Sequence, residues 1–400
     1  MALRTIAAAV AATTLVALPS TGVPVLTGPD TGTGCVRTLL DVPRAPGRDD
    51  VINGIHPVSE QQVWFTGRHA AIQPWVLRAD GDTVSQPVQP VTPLGGAHYS
   101  VAGGSFSSDT EGWMLTSNYA SRFTTPTAQR WDGQRWVTVP LAISPDPRTR
   151  WASIVNAVVS VSSTDAWAVG SFTRPPDGLS VTGAMIQRWD GTTWQLVDNP
   201  ADQLAGAGLE ALHVISPDEV WAVGRQVDPL TGHGIPLVMR WDGHQWETVP
   251  TPGVVAPATL TAVSGTSAKE VWVAGGQTMA GTENLAEPLI MRWDGSEWTV
   301  MELPAVGNAL LQGIYASGDQ VWAVGQFALG LAPYFLYYDG AQWTAEPAPG
   351  PTGPGFRHDY RAVNGAGSEQ IWIAGTVLDW NNERALTARV IRLTCASEEV

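Results

Sequence analysis

Apolar residues recur along this chain in short runs that alternate with polar residues and end at turn residues. This pattern is typical of β-strands and not of helices. In the clearest unit, residues 209–249, Ser216-Pro217-Asp218 and Asp242-Gly243 mark two tight turns. Four antiparallel strands are predicted there: Leu209–Ile215, Val220–Gly224, Leu237–Trp241 and Trp246–Val249.

The same unit recurs at intervals of 49 to 54 residues, each marked by a tryptophan in the second predicted strand. Those tryptophans are Trp64, Trp113, Trp167, Trp221, Trp272, Trp322 and Trp372. An Arg-Trp-Asp-Gly-x-x-Trp segment follows, and it reads in full at residues 130–136, 188–194, 240–246 and 292–298. Seven repeats of four short antiparallel strands predict an all-β fold, a seven-bladed β-propeller.

The seventh unit lacks its fourth strand, and the beginning of the chain supplies a matching one. The segment Cys35–Pro43 aligns with Asp132–Pro140, so we expect the N-terminal strand to close the last blade. In this alignment Cys35 and Cys395 fall at the hairpin turn that the two chain ends replace. We therefore predict a disulfide bond between them, which requires an oxidising compartment.

The first residues have the pattern of an export signal. Arg4 precedes an apolar run, Ile6–Leu18, which has the length of a signal-peptide core and is too short to span a bilayer. We predict a signal peptide and short leader over residues 1–33, a single propeller domain over residues 34–396 and a tail over residues 397–400. The expectation is a secreted, extracellular protein with no membrane span, since no later run of 18 apolar residues occurs.

Composition excludes several classes of partner and cofactor. The 400 residues include 22 Lys and Arg against 37 Asp and Glu, a formal net charge of −15, so the chain has no global attraction for nucleic acid. Two cysteines cannot form a disulfide-dense domain or a four-cysteine zinc site. The seven histidines are not paired at metal-binding spacing. We expect no metal, no cofactor, no nucleic-acid partner and a monomer.

Two segments resemble the repeats of kelch-type propellers. Residues 271–276 (VWVAGG) match that family's second strand with its glycine pair, and residues 338–343 (YDGAQW) match its turn and following tryptophan. The resemblance covers about residues 35–395 and implies a kelch-like, galactose oxidase-type seven-bladed propeller of a secreted bacterial protein. Most units depart from the pattern by having one glycine. Galactose oxidase needs copper and a cysteine linked to a tyrosine, whereas both cysteines here are assigned to closure, so the resemblance implies architecture alone.

Residues that recur in every unit are assigned to the scaffold, including 16 of the 19 tryptophans. The third-strand arginines also recur, and each shares a strand face with the aspartate two residues further on. This spacing predicts an ion pair between the two, or stacking of the arginine on tryptophan. The loops at the face where the first strands begin, called the variable face below, differ between units. Variable loops on a rigid scaffold are where function usually resides.

Candidate ligand-binding residues lie on the variable face and along the channel. Counting back eleven residues from each second-strand tryptophan, with a one-residue gap in the sixth unit, gives a polar ring at the channel mouth. Counting back eight residues gives a second ring, which includes His56 and His213. Exposed tryptophans on the variable loops suit stacking on a sugar or anchoring of a protein. The candidates are Trp151, Trp380, Asn53, Asn156, Glu210, Gln312, Arg361 and His358.

The main functional hypothesis from the sequence is a non-enzymatic propeller that binds a glycan or an extracellular protein through its variable face. One alternative is a glycan-active hydrolase or lyase at the channel mouth, using residues such as Glu210 and Arg361. A third is a structural or surface-assembly module. Two plainer interpretations also stay open: the channel holds only water, and Trp151 and Trp380 cover their own blades. No catalytic residues are predicted.

Overall fold

The protein is described by a computed structural model that covers most of the chain. The described residues are 25–26, 33–43, 49–69, 73–90, 99–118, 125–142, 152–174, 181–254, 257–278, 286–327, 334–351, 353, 355–380 and 385–395. The predicted signal peptide and Trp151 therefore lie outside the described residues, except for residues 25–26 and 33 of the predicted leader. Among the described residues, no helix is long and apolar enough to cross a membrane.

In the part of the chain that the structure describes, strands make up nearly all of the regular structure, apart from one 3-10 turn at Pro200–Asp202. The strands of the first half are β1 (Val25–Leu26), β2 (Cys35–Leu40), β3 (Val51–Pro57), β4 (Gln62–His69), β5 (Gln73–Asp80), β6 (Thr83–Ser85), β7 (Tyr99–Ser108), β8 (Glu111–Asn118), β9 (Thr125–Trp131), β10 (Trp136–Val139), β11 (Ala152–Ser162), β12 (Asp165–Arg174), β13 (Val181–Trp189) and β14 (Trp194–Leu196). Those of the second half are β15 (Gly208–Ser216), β16 (Glu219–Val227), β17 (Gly234–Trp241), β18 (Trp246–Thr248), β19 (Ala258–Ser267), β20 (Glu270–Thr278), β21 (Ala286–Trp293), β22 (Trp298–Val300), β23 (Ala309–Ser317), β24 (Gln320–Phe327), β25 (Tyr334–Tyr338), β26 (Trp343–Pro347), β27 (Phe356–Ala366), β28 (Gln370–Asp379) and β29 (Ala385–Cys395).

The strands form antiparallel sheets of four, which confirms the repeating unit predicted from the sequence. Five sheets are separate: β3–β6, β7–β10, β11–β14, β15–β18 and β19–β22. The remaining described strands join into one nine-stranded sheet, in which β24 meets β27 through a single residue pair, Gln326 and Asp359. On either side of that junction the strands again form units of four, with β1 added at the outer edge of β2.

The N-terminal strand completes the last unit, as predicted. Strand β2 pairs antiparallel with β29 from Cys35 opposite Cys395 to Leu40 opposite Val390. The two cysteines form a disulfide bond between residues 360 positions apart, which suits an oxidising environment. A buried ion pair, Arg37 to Glu346 at 3.0 Å, also ties β2 to the neighbouring unit. The strand pairing and the disulfide bond therefore hold β2 against β29, and the ion pair adds a contact to the neighbouring unit.

The core lies between neighbouring sheets and is organised by the repeated tryptophans. All seven second-strand tryptophans are fully buried. Those of the first five units pack against aromatic side chains of the next unit, as Trp167 does against Trp241 and Trp246 at ring-centre distances of 5.3 and 5.5 Å. Such pairs stabilise beyond their buried area by about 0.5–1.5 kcal/mol each. The assignment of these tryptophans to the scaffold is confirmed.

The repeated arginines stack on tryptophan as predicted, but their predicted ion-pair partner is wrong in four of the units. Arg188 lies 4.7 Å from the Trp167 ring centre, and its Nε and Nη2 atoms donate to Asp165 at 2.9 and 3.0 Å. The partner is thus the acid two residues before the tryptophan, not the aspartate two residues after the arginine. Arg130, Arg240 and Arg292 pair in the same way with Glu111, Glu219 and Glu270.

The strand register explains this correction. Arg188 lies directly opposite Trp167, so Asp165 is its diagonal neighbour on the same sheet face, within reach of a long side chain. The hairpin aspartates have another role, as Asp190 shows by accepting the backbone N–H groups of Thr192 and Thr193 at 2.8 Å. Only Arg78, among the described arginines of this series, pairs with the following aspartate, Asp80, at 3.0 Å.

Candidate functional site

The first strands of the units surround one central cavity of about 710 Å³. Strands β3, β7, β11, β15, β19, β23 and β27 each contribute residues to its wall. Five of the predicted mouth residues line this cavity: Asn53, Asn156, Glu210, Gln312 and Arg361. Counting back from the tryptophans therefore located the channel wall correctly. Whether those residues bind a ligand stays a prediction.

Each residue of the mouth ring occupies an irregularity in its strand. In β15 the register shifts between Leu209 and Ala211, which leaves Glu210 without a partner on β16. The same shift falls at the corresponding residue in all seven first strands: 53, 102, 156, 210, 261, 312 and 361. A β-bulge inserts one residue and turns its side chain away from the regular alternation. Seven bulges thus aim seven side chains into the cavity.

The glycine of the second strand permits this bulge. A Cβ atom built on Gly224 would lie 2.0 Å from the backbone oxygen of Gly208, just before the bulge of the neighbouring strand. The equivalent glycines Gly67, Gly170, Gly275, Gly325 and Gly375 face a first-strand carbonyl oxygen at 2.0 to 2.2 Å in the same way. The second unit departs from this pattern, since Thr116 stands opposite Val101 there.

We expect Gly224→Ala to lower the free energy of unfolding by about 2 kcal/mol or more, because two backbones must separate to admit the methyl group. Alanine's lower entropy in the unfolded chain offsets only about 0.4–1 kcal/mol of that loss. Gly234→Ala is the matched control, since the nearest atom to its added Cβ would be 3.7 Å away. Denaturant unfolding of the two variants measures the difference. Equal stability of the two variants would show that the close approach of β15 and β16 does not require glycine at position 224.

Some side chains of the mouth ring link neighbouring units. Asn53 Nδ2 donates to the carbonyl oxygen of Val101 at 3.4 Å, and Asn156 Nδ2 donates to that of Leu209 at 2.8 Å. Thr261 Oγ1 donates to the carbonyl oxygen of Leu311. Each acceptor is the residue just before the bulge of the next unit, so these three side chains hold adjacent bulges together. Their hydrogen-bonding capacity is partly used by the scaffold.

Glu210 differs from these ring members. Its carboxylate makes no hydrogen bond or ion pair with any other part of the chain that the structure describes. The side chain is exposed to the cavity, but the surrounding protein displaces bulk water. This desolvation raises the pKa of Glu210, while the charge of Arg225 acts in the opposite direction. Glu210 is therefore an uncommitted carboxyl group that holds a proton more readily than an ordinary glutamate.

His213 lines the same cavity, three residues further along β15. Its Nε2 atom lies 2.9 Å from the carbonyl oxygen of Gly265. A carbonyl oxygen only accepts, so Nε2 carries the proton and Nδ1 has a free lone pair. Burial lowers the pKa of His213, so the imidazole is neutral near pH 7. Burial likewise lowers the pKa of His56 in the second ring to about 3.

Arg361 is the cation of the described cavity lining, and it is neutralised by a neighbour. Its Nε and Nη2 atoms donate to Asp359 Oδ2 at 2.9 and 2.6 Å. Its Nη1 atom donates to Asn53 Oδ1 at 3.4 Å, across the junction between the last and first units. Asp359 is not among the residues predicted to bind a ligand, although the i, i+2 spacing on one strand face places it beside Arg361.

The remaining candidates do not line the cavity. His358 is buried, donates from Nε2 to the carbonyl oxygen of Pro351 at 2.9 Å and stacks on Tyr360. Trp380 is 41% exposed, beyond the end of β28, and its backbone N–H bonds to Gly355. Trp151 lies outside the described residues. The described His, Cys, Asp and Glu residues form no group of three that could hold a metal ion.

Comparisons with known proteins identify the class of fold. No protein-family model and no curated protein matches the sequence. Among solved structures, YCF48 bound to D1 peptide is 16% identical over 96% of this chain and 100% of that chain, with a TM-score of 0.53. An α-L-arabinofuranosidase from Fusarium graminearum is 11% identical over 74% and 93% of the two chains, with a TM-score of 0.45. A fucose-specific lectin from Aleuria aurantia is 11% identical over 76% and 97%, with a TM-score of 0.44.

The likeness to YCF48, together with the repeated four-stranded sheets around one cavity, establishes that the chain is a β-propeller. The likenesses extend to the fold alone, since every identity is below 25%. The resemblance to kelch-type propellers in particular still rests on the sequence motifs and stays a prediction.

The main functional hypothesis from the sequence is corrected. We expected a non-enzymatic propeller that binds a glycan or protein, but glycan-cleaving propellers, an arabinofuranosidase and an arabinanase, are among the structural neighbours. The comparisons therefore do not favour binding without catalysis. At TM-scores of 0.45 and 0.42 these neighbours do not assign an activity either, so the chemistry has to come from the cavity of this chain.

Proposed function

We propose that the protein hydrolyses a glycosidic bond at the mouth of its central cavity, with Glu210 as the general acid and His213 as the general base. The observation that carries the proposal is a pair of titratable groups on one strand whose surroundings move their pKa values in opposite directions. Desolvation raises the pKa of Glu210 and lowers that of His213. Desolvation thus favours the protonated form of Glu210 and the neutral form of His213, which are the forms that the two proposed roles require.

Spacing along β15 supports this division of roles. Three residues of extended strand place the two backbone positions about 10 Å apart. Glycosidases that activate water directly hold their acid and base roughly 6.5–9.5 Å apart, which leaves room for the water and the sugar. The usual second carboxylate is not found among the described residues that line the cavity, so in this proposal the imidazole of His213 takes that place.

The reaction then balances as a single displacement. Glu210 transfers its proton to the glycosidic oxygen as the bond from that oxygen to the anomeric carbon breaks. Water attacks the anomeric carbon and gives its proton to Nδ1 of His213. The products are two shorter glycans, each with a new hydroxyl group, and both side chains regain their starting protonation through solvent.

We also propose that the seven units form a seven-bladed propeller of kelch-like type, closed by β2, and that the chain is exported by its N-terminal segment. Support for the blade count comes from seven first strands around one cavity and seven equivalent buried tryptophans. Support for export comes from the apolar run Ile6–Leu18 and from the disulfide bond. The substrate would then be an extracellular glycan.

The proposed acid and base predict a bell-shaped dependence of kcat/KM on pH. Hydrolysis requires His213 without its extra proton, so the rate rises as pH passes through a pKa below the ordinary 6.5. It also requires Glu210 with its proton, so the rate falls as pH passes through a pKa above the ordinary 4.5. We expect an optimum on the acid side of neutrality. A rate that continues to rise above pH 7 would contradict these roles.

A glycan panel tests the proposed function directly. Purified protein is incubated with arabinan, xylan, galactan, β-glucan, mannan and pectin between pH 4 and pH 8, and new reducing ends are measured. We expect release from at least one polysaccharide, with no absorbance near 232 nm. That absorbance would indicate elimination and thus a lyase. Absence of release from the whole panel would contradict the proposal.

A further inference from the structure

The cavity lining has very little charge. Among the described residues that line it, the acidic and basic side chains, apart from the two histidines, are Glu210 and Arg361. Most of the other polar side chains of the two rings are amides and hydroxyl groups, and burial lowers the pKa of both His56 and His213 so that they remain uncharged. Any electrostatic selection at the mouth therefore depends on how these two charges are balanced.

Asp359 removes Arg361 as an anion-binding group. Both contacts of the guanidinium with this carboxylate, at 2.9 and 2.6 Å, end on Oδ2. Asp359 is only 7% exposed, so water screens this carboxylate weakly and its negative charge stays next to the guanidinium. What Arg361 still offers is its Nη1 edge, which points to the amide of Asn53. That edge can donate a hydrogen bond to a neutral oxygen.

A negatively charged sugar would meet an unfavourable site. Its carboxylate or sulfate would lose hydration on entering the cavity, and Arg361, the cation among the described lining residues, is already paired with Asp359, so entry costs free energy. Arg225 lies outside that lining, and its charge acts on Glu210. The net charge of the chain, −15, repels the same ligand at longer range. The hydroxyl groups of an uncharged sugar, in contrast, can bond to the amide of Gln312 and to Arg361 without any such cost.

We infer that the mouth of the cavity selects uncharged glycans over acidic ones, and that Asp359 sets this selectivity by neutralising Arg361. The inference rests on the proposed function for the glycan class, and it adds the charge of the substrate and a specificity-determining residue. Asp359 acts through Arg361 and is a positioning residue, not a catalytic one.

The test measures binding, so that it is independent of cleavage. Immobilised pairs of polysaccharides that differ mainly in charge are used: methyl-esterified pectin against polygalacturonate, and hydroxyethyl cellulose against carboxymethyl cellulose. We expect the parent protein to bind an uncharged member at least about tenfold more tightly than its acidic counterpart. Binding of an acidic member as tight as that of its uncharged partner overturns the inference, and so does absence of binding to all four.

Two variants test the role of Asp359. Asp359→Asn keeps the shape and one hydrogen-bond acceptor but frees the charge of Arg361, and we expect affinity for the acidic members to rise at least about tenfold. The double variant Asp359→Asn, Arg361→Gln also removes the cation. We therefore expect its affinity for the acidic members to return to that of the parent. Thermal unfolding and circular dichroism confirm that each variant is folded. Unchanged selectivity in a folded Asp359→Asn variant contradicts the inference.

Failure of this inference and failure of the proposed function can be told apart. Selective binding of uncharged glycans without release of reducing ends would leave the inference standing and reject hydrolysis. Release of reducing ends from polygalacturonate but not from its methyl ester would support hydrolysis and reject the inferred preference for uncharged glycans.

Discussion

Replacing Cys35 and Cys395 with serine is expected to lower the free energy of unfolding by about 5 kcal/mol, the upper end of what one disulfide contributes. The bond joins residues 360 positions apart, and a cross-link that closes so long a loop removes much of the entropy of the unfolded chain. Its loss also frees β2, the one strand of the last unit that comes from the other end of the chain. Denaturant unfolding, followed by tryptophan fluorescence, measures the change.

Two further samples sharpen this prediction. The parent protein treated with a reductant should unfold at the same denaturant concentration as the double variant, because both lack the bond and keep all other contacts. The double variant should still fold, since β2 retains its pairing with β29 and the ion pair of Arg37 with Glu346. Identical unfolding of oxidised parent and double variant, or two free thiols in the oxidised protein, would contradict the closure described above.

Much of the scaffold could be predicted from the sequence because it repeats. A residue that recurs at the same place in every unit meets the same neighbours in each, so the buried tryptophans and the four-strand pattern could be assigned by comparing the units with one another. Strand boundaries were accurate to within a few residues. The second strand predicted at Val220–Gly224, for example, is Glu219–Val227 in the structure. The cysteine pair followed from the same alignment.

The bulges were not predicted, although the sequence contained a sign of them. The two polar rings lie eleven and eight residues before the tryptophan, an odd difference of three. In a regular strand, an odd separation places two side chains on opposite faces. Both Glu210 and His213 line the cavity only because the strand register shifts at Glu210. The close approach of the bulge to Gly224 explains the repeated glycine, which the sequence alone could not attribute to any contact.

Functional roles were the least predictable part, because they depend on distances between side chains far apart in the sequence. The distinction between Asn156, which is tied to Leu209, and Glu210, which is not tied to any described residue, requires the arrangement of neighbouring units. The sequence places Asp359 close to Arg361 in the chain, but the ion pair between them becomes visible only in the structure. His358 was selected for its position in a loop, and the structure buries it away from the cavity.

The second large effect is expected at Glu210. Glu210→Gln removes the proposed proton donor and keeps nearly the same volume, so we expect kcat/KM for glycan hydrolysis to fall by about 10²–10⁴-fold. Stability should be almost unchanged, because the carboxylate has no hydrogen bond to lose among the described residues. The matched control is Glu247→Gln, which changes an exposed glutamate on the outer strand β18, outside the cavity lining.

The most direct measurement compares these two variants with the parent on one polysaccharide and on an aryl glycoside whose leaving group needs no protonation. With the polysaccharide, we expect Glu247→Gln to match the parent and Glu210→Gln to lose nearly all release of reducing ends. With the activated aryl glycoside, we expect Glu210→Gln to retain most of its rate, since only the proton donor is missing. Equal polysaccharide cleavage by Glu210→Gln and the parent would contradict catalysis by Glu210 at the mouth of the cavity.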